Sequence, residues 1–195
     1  MTRAALTSAI VVATAAELAD QAGFDEVSLS AVARHLGVRA PSLYAHVRDL
    51  AALRDAIAES ALCELNDRIS LGIAGRSGAD ALRGFADAHR AFARESPGRW
   101  DSLQRQTGDA VAASVAARTV VALTDAVLRG YELPPAERVH AIRLLGSTIN
   151  GFLNLERAGS FDHSTPSSQV SWNRAIDALD AVLRGWPAGT TGKAP

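Results

Sequence analysis

Ser42, His46 and Asp49 stand at i, i+4 and i+7 of one short stretch, a hydroxyl, an imidazole and a carboxylate at a spacing that suggests a nucleophilic triad. That chemistry needs three side chains converging in a cleft that excludes water and offers an oxyanion hole. Groups strung along one exposed helix supply neither, and Asp49 is better placed as the N-cap of the helix that follows. The five histidines, His35, His46, His89, His140 and His163, show no ligand spacing, and Cys63 is the only cysteine, so no metal site is expected. Gly72, Gly75 and Gly78 recur without a preceding strand, which makes a loop of residues 72–78 and not a nucleotide cradle. With no paired acids, no nucleophile beside a base and no cofactor motif, neither an enzyme nor a bound cofactor is expected.

Binding is the better use of these residues. Residues 28–47, SLSAVARHLGVRAPSLYAHV, have the apolar spacing of two short helices broken at Gly37-Val38. Leu29, Val32, Ala33 and Leu36 repeat at i, i+3, i+4 and i+7, one buried face behind an N-cap at Ser28. Gly37 permits the tight turn and Val38 plugs the angle. Pro41 falls in the first turn of the second helix, where a missing N–H costs nothing. Leu43 and Val47 hold that helix inward, so Pro41, Ser42, Ala45 and Arg48 face out, with Tyr44 and His46 on the flanks. A mostly small and polar outer face is what a helix entering a DNA major groove requires, since bulky or acidic groups would clash with the bases or repel the phosphates. The pattern is a helix-turn-helix.

Composition narrows the rest. The 195 residues are 48% apolar and 5% aromatic, rich in Ala, Leu and Arg at helical spacing, which predicts an all-α protein of about nine helices. A net charge of −1 argues against a nonspecific polyanion binder, so DNA contact must be local and geometric. The single Cys63 excludes an intrachain disulfide, fits a reducing, cytoplasmic setting and reads as a small buried side chain on a helix. Arg3 followed by the weakly apolar residues 4–16 loosely imitates a secretory signal. The helical stripe Ile10, Val11, Ala15, Leu18 and Ala22 runs on unbroken to Gly23, which favours a folded helix over residues 7–22, capped at Thr7. No stretch approaches the ~20 apolar residues of a membrane span.

Further along, Leu53, Ile57, Ala61, Leu62 and Leu65 stripe a fourth helix over residues 50–71. Residues 78–95 form a fifth, stopped by Ser96-Pro97-Gly98. Trp100 and Leu103 anchor a short sixth. A seventh spans 109–129, an eighth opens after Pro134-Pro135 over 135–158, and a ninth covers 169–184. The expected organisation is a helix-turn-helix domain over 1–50, a larger helical domain over 51–187 and a flexible tail over 188–195. In the eighth helix Leu144, Leu145, Ile149, Phe152 and Leu153 accompany the small residues Gly146, Ser147 and Gly151. In the ninth, Ile176, Leu179, Val182 and Leu183 leave one side too apolar for a free surface. Two such helices from each of two subunits would make a four-helix bundle. The expected interface is Leu145, Ser147, Gly151, Phe152, Ile176, Leu179 and Leu183.

The order LSAVARHLGV followed by RAPSLYAHVRDLAALRDAI resembles the DNA-binding domain of the tetracycline-repressor (TetR) family of bacterial transcription regulators, closely over about residues 7–60. The segment from Ile149 to Glu156, followed by Gly159, Ser160 and Phe161, is similar to one C-terminal subgroup of the same family. The resemblance implies base contacts from Arg39, Ala40, Pro41, Ser42 and Ala45, and phosphate contacts from Ser28, Tyr44 and His46, with Arg48 outward beside them. It also implies a homodimer on a palindromic double-stranded operator and a small-molecule inducer in a pocket among the fifth to eighth helices. The pocket residues expected are Phe85, His89, Phe92, Trp100, Leu103, Gln104, Val120, Leu123, Thr124, Ile149 and Asn150, with a few polar groups among apolar ones. The expected function is a ligand-responsive repressor; the alternative is a dimeric small-molecule-binding protein with weak or lost DNA contacts.

Two positions depart from the family pattern. Leu50 stands where many members carry a phosphate-binding lysine, and Ser30 where the residue is often basic, leaving Arg34, Arg39, Arg48 and Arg54 to meet phosphate. Counterion release contributes about 0.9 to the logarithmic salt slope per phosphate contact. Operator affinity should therefore fall only gently with salt; a titration steeper than four arginines per subunit can supply contradicts this.

Overall fold

The computed structural model describes residues 5–106 and 108–187; Arg3, at the head of the signal-like stretch, and the expected tail over 188–195 lie outside them. The described residues are helical and contain no strand. In order they form α1 (Ser8–Ala22), α2 (Leu29–Leu36), α3 (Leu50–Ile73), α4 (Gly78–Glu95), α5 (Pro97–Leu103), α6 (Asp109–Ala112), α7 (Val115–Leu128), α8 (Arg138–Arg157) and α9 (Ser168–Arg184), with 3₁₀ turns at Phe24–Glu26, Ala40–Ala45 and Pro135–Glu137. Among the described residues no helix is long and apolar enough to cross a membrane.

The helix starts follow from side-chain caps. Thr7, Ser28 and Asp49 each accept a hydrogen bond from a backbone N–H three residues on, in Ile10, Ala31 and Ala52, satisfying donors that the first turn leaves open. The chain gathers into two compact units. One lies within residues 1–66 and 92–119, the other within 67–91 and 120–195.

The first unit is built on Val11, Ala15, Val27, Val32, Leu43, Val47, Leu53 and Ile57, all buried. The α1 and α5 backbones nearly touch: a Cβ on Gly98 would sit 2.0 Å from the Ala19 carbonyl oxygen. Asp20 accepts from the Arg99 N–H at 2.9 Å and from Arg99 Nε at 2.7 Å, and the same guanidinium reaches Glu64 and Ser96. Trp100 and Phe92 are buried in this unit.

In the second unit Leu82, Phe85, Leu128, Leu145, Ile149, Leu153, Trp172, Ile176, Leu179 and Leu183 form the interior. Arg90 is buried there against Glu156, with contacts of 3.0 and 2.6 Å, and against Gln169 at 2.8 Å. Its guanidinium lies 5.1 Å from the Trp172 ring, whose Nε1 donates to Asp87.

Four expectations need correction. Gly72 lies inside α3, not in a loop, because it marks a helix crossing: its Cβ would meet the Gly84 carbonyl oxygen on α4 at 2.7 Å. The expected seventh helix breaks at Ala113-Ser114, where Ser114 Oγ accepts from the Ala117 N–H and caps α7. Residues 40–45 form a 3₁₀ turn instead of an α-helix, as a short proline-containing run closing i→i+3 bonds will do. Cys63 is exposed on α3, turned away from the interior side that holds Ala61 and Leu65.

Two helical glycines should respond in opposite ways to alanine. Gly98→Ala should cost about 2–3 kcal/mol, because its methyl meets backbone that cannot yield. Gly146→Ala, whose Cβ meets nothing within 4 Å, should be neutral or stabilising by up to about 1 kcal/mol. Urea unfolding of both variants measures the signs.

Candidate DNA-reading segment and ligand cavity

The turn between α2 and the 3₁₀ segment is made by Gly37 at φ 63°, a left-handed conformation that costs glycine nothing. Its N–H and that of Val38 return to Arg34 and Ala33 carbonyls, closing the α2 end. After Arg39 the chain winds at three residues per turn, which superimposes positions i and i+3. Ala40 and Leu43 therefore share the inner face, Leu43 fully buried. Pro41 with Tyr44, and Ser42 with Ala45, share the outer faces, and all four are exposed.

Tyr44 is 59% exposed, so its phenol stands in solvent and does not cap the core. His46 is half-buried, and its carbonyl accepts from Ser8 Oγ at 3.0 Å, tying the segment to α1. Ser28 accepts its cap bond with one lone pair, leaving its O–H able to donate. Ser30, Arg34 and Arg39 are exposed. Arg48 is paired with Asp49 at 2.8 Å. Arg54 serves the fold, lying over the Phe24 ring and donating to the Asp25 carbonyl.

The second unit contains a cavity of about 170 Å³. Phe85 and His89 of α4 line one side, Val120, Val121 and Thr124 of α7 a second, and Ile142, Leu145, Gly146, Ile149 and Asn150 of α8 a third. Val121 is 54% exposed and marks the mouth. Of the residues expected at a pocket, Phe85, His89, Val120, Thr124, Ile149 and Asn150 come together here. Phe92, Trp100, Leu103, Gln104 and Leu123 do not: Phe92 and Trp100 fill the core of the first unit, Gln104 is exposed, and Leu103 and Leu123 are half-buried away from the lining.

Val121, Ile142, Leu145 and Gly146 were missed as lining residues, although a signal existed. Ile142, Leu145, Gly146, Ile149 and Asn150 follow the 3.6-residue period of a single face. Leu145, expected at the subunit interface, is buried inside the protomer, as are Ile176, Leu179 and Leu183. None of these four is available to a partner. Phe152 is half-buried, with its ring 5.0 Å from Phe161 and 5.1 Å from Trp172. Ser147 and Gly151 are exposed, together with Leu155 on α8 and Val170, Ala178 and Val182 on α9.

His89 is the one titratable group on the cavity wall. Its Nδ1–H donates to the Phe85 carbonyl at 2.8 Å, since a carbonyl can only accept, and its ring lies 4.4 Å from that of Phe85. Burial holds its pKa down at about 4, against a slight raising by the Phe85 bond, so the imidazole is neutral at pH 7. Among the described residues no three His, Cys, Asp or Glu side chains gather as a metal site would need.

Residues 11–57 match the family described as bacterial regulatory proteins, tetR family, and residues 82–179 match the tetracyclin repressor-like C-terminal domain. The HTH-type transcriptional regulator YobS of Bacillus subtilis is 32% identical over 160 residues, covering 82% of this chain and 84% of its own. The chain belongs to the TetR family of bacterial transcription regulators. The HTH-type regulator Rv0681 of Mycobacterium tuberculosis is also 32% identical, over 82% of this chain and 74% of that one. A TetR variant of Acinetobacter baumannii AYE, solved in complex with minocycline, shares the fold with a TM-score of 0.70 at 21% identity, over 95% of this chain and all of the other. TetR-family members are DNA-binding regulators and not enzymes, and residues 11–57 supply this one's DNA-binding domain.

The neutral His89 fixes a sign. Its folded-state pKa lies below the ordinary 6.5, so as pH falls the unfolded chain takes up the proton first. The stability it contributes is complete above pH 6.5 and is lost between 6.5 and about 4. Wild type should lose about 2 kcal/mol more than His89→Leu between pH 7 and pH 5. Urea unfolding at the two pH values tests this; equal losses would mean His89 titrates normally.

Proposed function

We propose that this regulator is a ligand-released repressor. Two copies hold a palindromic operator through their helix-turn-helix units, residues 1–50, and a small molecule bound within residues 51–187 weakens that hold. The observation that carries the reading is the cavity between α4, α7 and α8, an apolar chamber with three polar groups on its wall and an opening at Val121. A chamber of this composition is suited to a small organic molecule. The fold is one that in the Acinetobacter variant accommodates minocycline. Release requires the ligand to bind the DNA-free arrangement more tightly than the DNA-bound one.

On DNA, Arg39, Ala40, Pro41, Ser42 and Ala45 meet base edges, while Ser28, Ser30, Tyr44, His46 and Arg48 meet phosphates. The exposure of Pro41, Ser42, Tyr44 and Ala45 supports this assignment. Arg39 is the stronger cation of the pair, because Arg48 must first exchange Asp49 for phosphate. With few charges per subunit, affinity depends on two copies spaced by about 34–36 Å, one turn of DNA. The subunits meet along Ser147, Gly151 and Leu155 of α8 and Val170, Ala178 and Val182 of α9. On α8 these exposed positions recur every four residues, the ridge that lets helices interlock, and on α9 they fall on the same four-residue row at 170, 178 and 182.

A gel shift against the DNA upstream of its own gene tests the reading. A retarded band that disappears when the effector is added is expected. No shift at low salt with any promoter fragment would instead favour a dimeric ligand-binding protein that has lost its operator. Gly151→Arg isolates the dimer, since Gly151 is exposed and a Cβ there meets nothing within 4 Å. The variant should keep its helical content, sediment as a monomer and bind operator at least about 100-fold more weakly, the avidity of the second site being lost.

A further inference from the structure

We propose that the molecule held between α4, α7 and α8 is a neutral, single-ring aromatic compound bearing one hydrogen-bonding oxygen, the class of the substituted phenols. This rests on the reading of that cavity as the effector site and adds its chemistry. Charge is the first discriminator. No side chain lining the cavity is charged at neutral pH: nine of the ten cannot ionise, and His89 is held neutral by its burial. Two arginines adjoin lining residues in sequence: Arg90 is committed to Glu156 and Gln169, and Arg143 is exposed on α8 and is not among the lining residues. A carboxylate, phosphate or ammonium entering here would surrender its water without finding a counter-charge, which costs far more than an apolar wall returns.

Size is the second. At about 170 Å³ the cavity is slightly larger than the roughly 150 Å³ apolar cavity that takes up one benzene. One ring with a methyl and a hydroxyl fills it. The wall suits a ring as well, with Phe85 on one side and Leu145, Ile142 and Ile149 opposite.

Polarity is the third. Asn150 lines the cavity and its carboxamide makes no hydrogen bond among the described residues, so it offers both N–H donors and a carbonyl acceptor. Thr124 donates its proton to the Val120 carbonyl at 2.8 Å, which leaves its oxygen as an acceptor. A phenolic hydroxyl can donate to one of these acceptors while accepting from the Asn150 amide. Toluene, of nearly the same shape, would cover the half-buried amide without pairing with it, and a site that hydrogen-bonds its ligand discriminates against the analogue that cannot.

The test uses p-cresol, toluene, benzoate and benzylammonium as probes, with calorimetry and thermal shift on the full-length wild type, Asn150→Leu and Gly146→Leu. Gly146→Leu fills the cavity from a helix position whose Cβ meets nothing, so it should fold normally, as circular dichroism will verify. p-Cresol should bind wild type at least tenfold more tightly than toluene, and both charged probes at least a hundredfold more weakly than p-cresol. Asn150→Leu should erase the preference for p-cresol over toluene, and Gly146→Leu should abolish binding of both. Benzoate or benzylammonium binding as tightly as p-cresol, and lost in Gly146→Leu, overturns the ligand class while leaving the cavity as the site. The absence of p-cresol binding at millimolar concentration also overturns the class. p-Cresol binding that survives Gly146→Leu overturns the assignment of the cavity. Control of DNA is read separately: p-cresol that binds the cavity without releasing operator in the gel shift defeats the effector reading and not the ligand chemistry.

Discussion

The contact on which the DNA-reading end depends is made by a residue far from it in sequence. A helix-turn-helix of about fifty residues buries too small a share of its surface to be secure alone. Here α5 closes it. Gly98 brings the two backbones together, and Arg99 then joins α5 to Asp20 on α1 and Glu64 on α3. Asp20 does two things at once, taking the Arg99 guanidinium and its backbone N–H, one of the donors that the first turn of α5 leaves open. Because the guanidinium is only partly exposed and fully engaged, losing either carboxylate would leave a cation with little water to replace it. The compact unit that holds the helix-turn-helix accordingly takes in residues 51–66 and 92–119 as well.

That support explains how so sparse a reading surface can work. The 3₁₀ segment is six residues long and hydrogen-bonded only locally, and turns of this kind hold their shape weakly. Leu43 plugs it into the core and the Ser8–His46 bond ties its end to α1. What it presents outward is nearly uncharged. Its geometry is thus fixed by packing rather than by phosphate, and discrimination by shape and hydrogen bonding gains over attraction by charge.

Features whose cause is local were legible in the sequence. Thr7, Ser28 and Asp49 cap because a short oxygen-bearing side chain before an apolar repeat has few other uses, and Gly37 adopts the left-handed turn that its position demanded. Features whose cause lies elsewhere in the chain were not. Gly72 reads as a loop residue until Gly84 is seen across the crossing. Trp100 and Phe92 read as pocket residues because an aromatic among aliphatics suits a ligand and a core equally. Periodicity likewise says that α9 has an apolar side, but not whether its own protomer or another covers it. Ile176, Leu179 and Leu183 turned out to be the inner side, and the weaker stripe of Val170, Ala178 and Val182 was left outside. Six of the ten residues that line the cavity are among those the family resemblance led one to expect at a pocket, and the other four lie on the same faces of α7 and α8.

The buried ion pair of Arg90 and Glu156 bears on both faces of α8. Placing a guanidinium and a carboxylate in the interior is a poor route to stability, since their desolvation offsets most of their attraction. Its use is in specifying arrangement. Arg90 on α4 binds Glu156 on α8 through two nitrogens and Gln169 on α9 through a third, while Trp172 lies under the guanidinium and donates to Asp87 back on α4. Rotating α8 or α9 by one residue would break several of these bonds and strand a charge, so only one rotation of each helix is tolerated. That rotation turns Ile142, Leu145, Ile149 and Asn150 toward the cavity and leaves Ser147, Gly151 and Leu155 outside. A single polar cluster thus assigns one face of α8 to the ligand and the other to solvent or a second subunit, which hydrophobic periodicity could not have done alone.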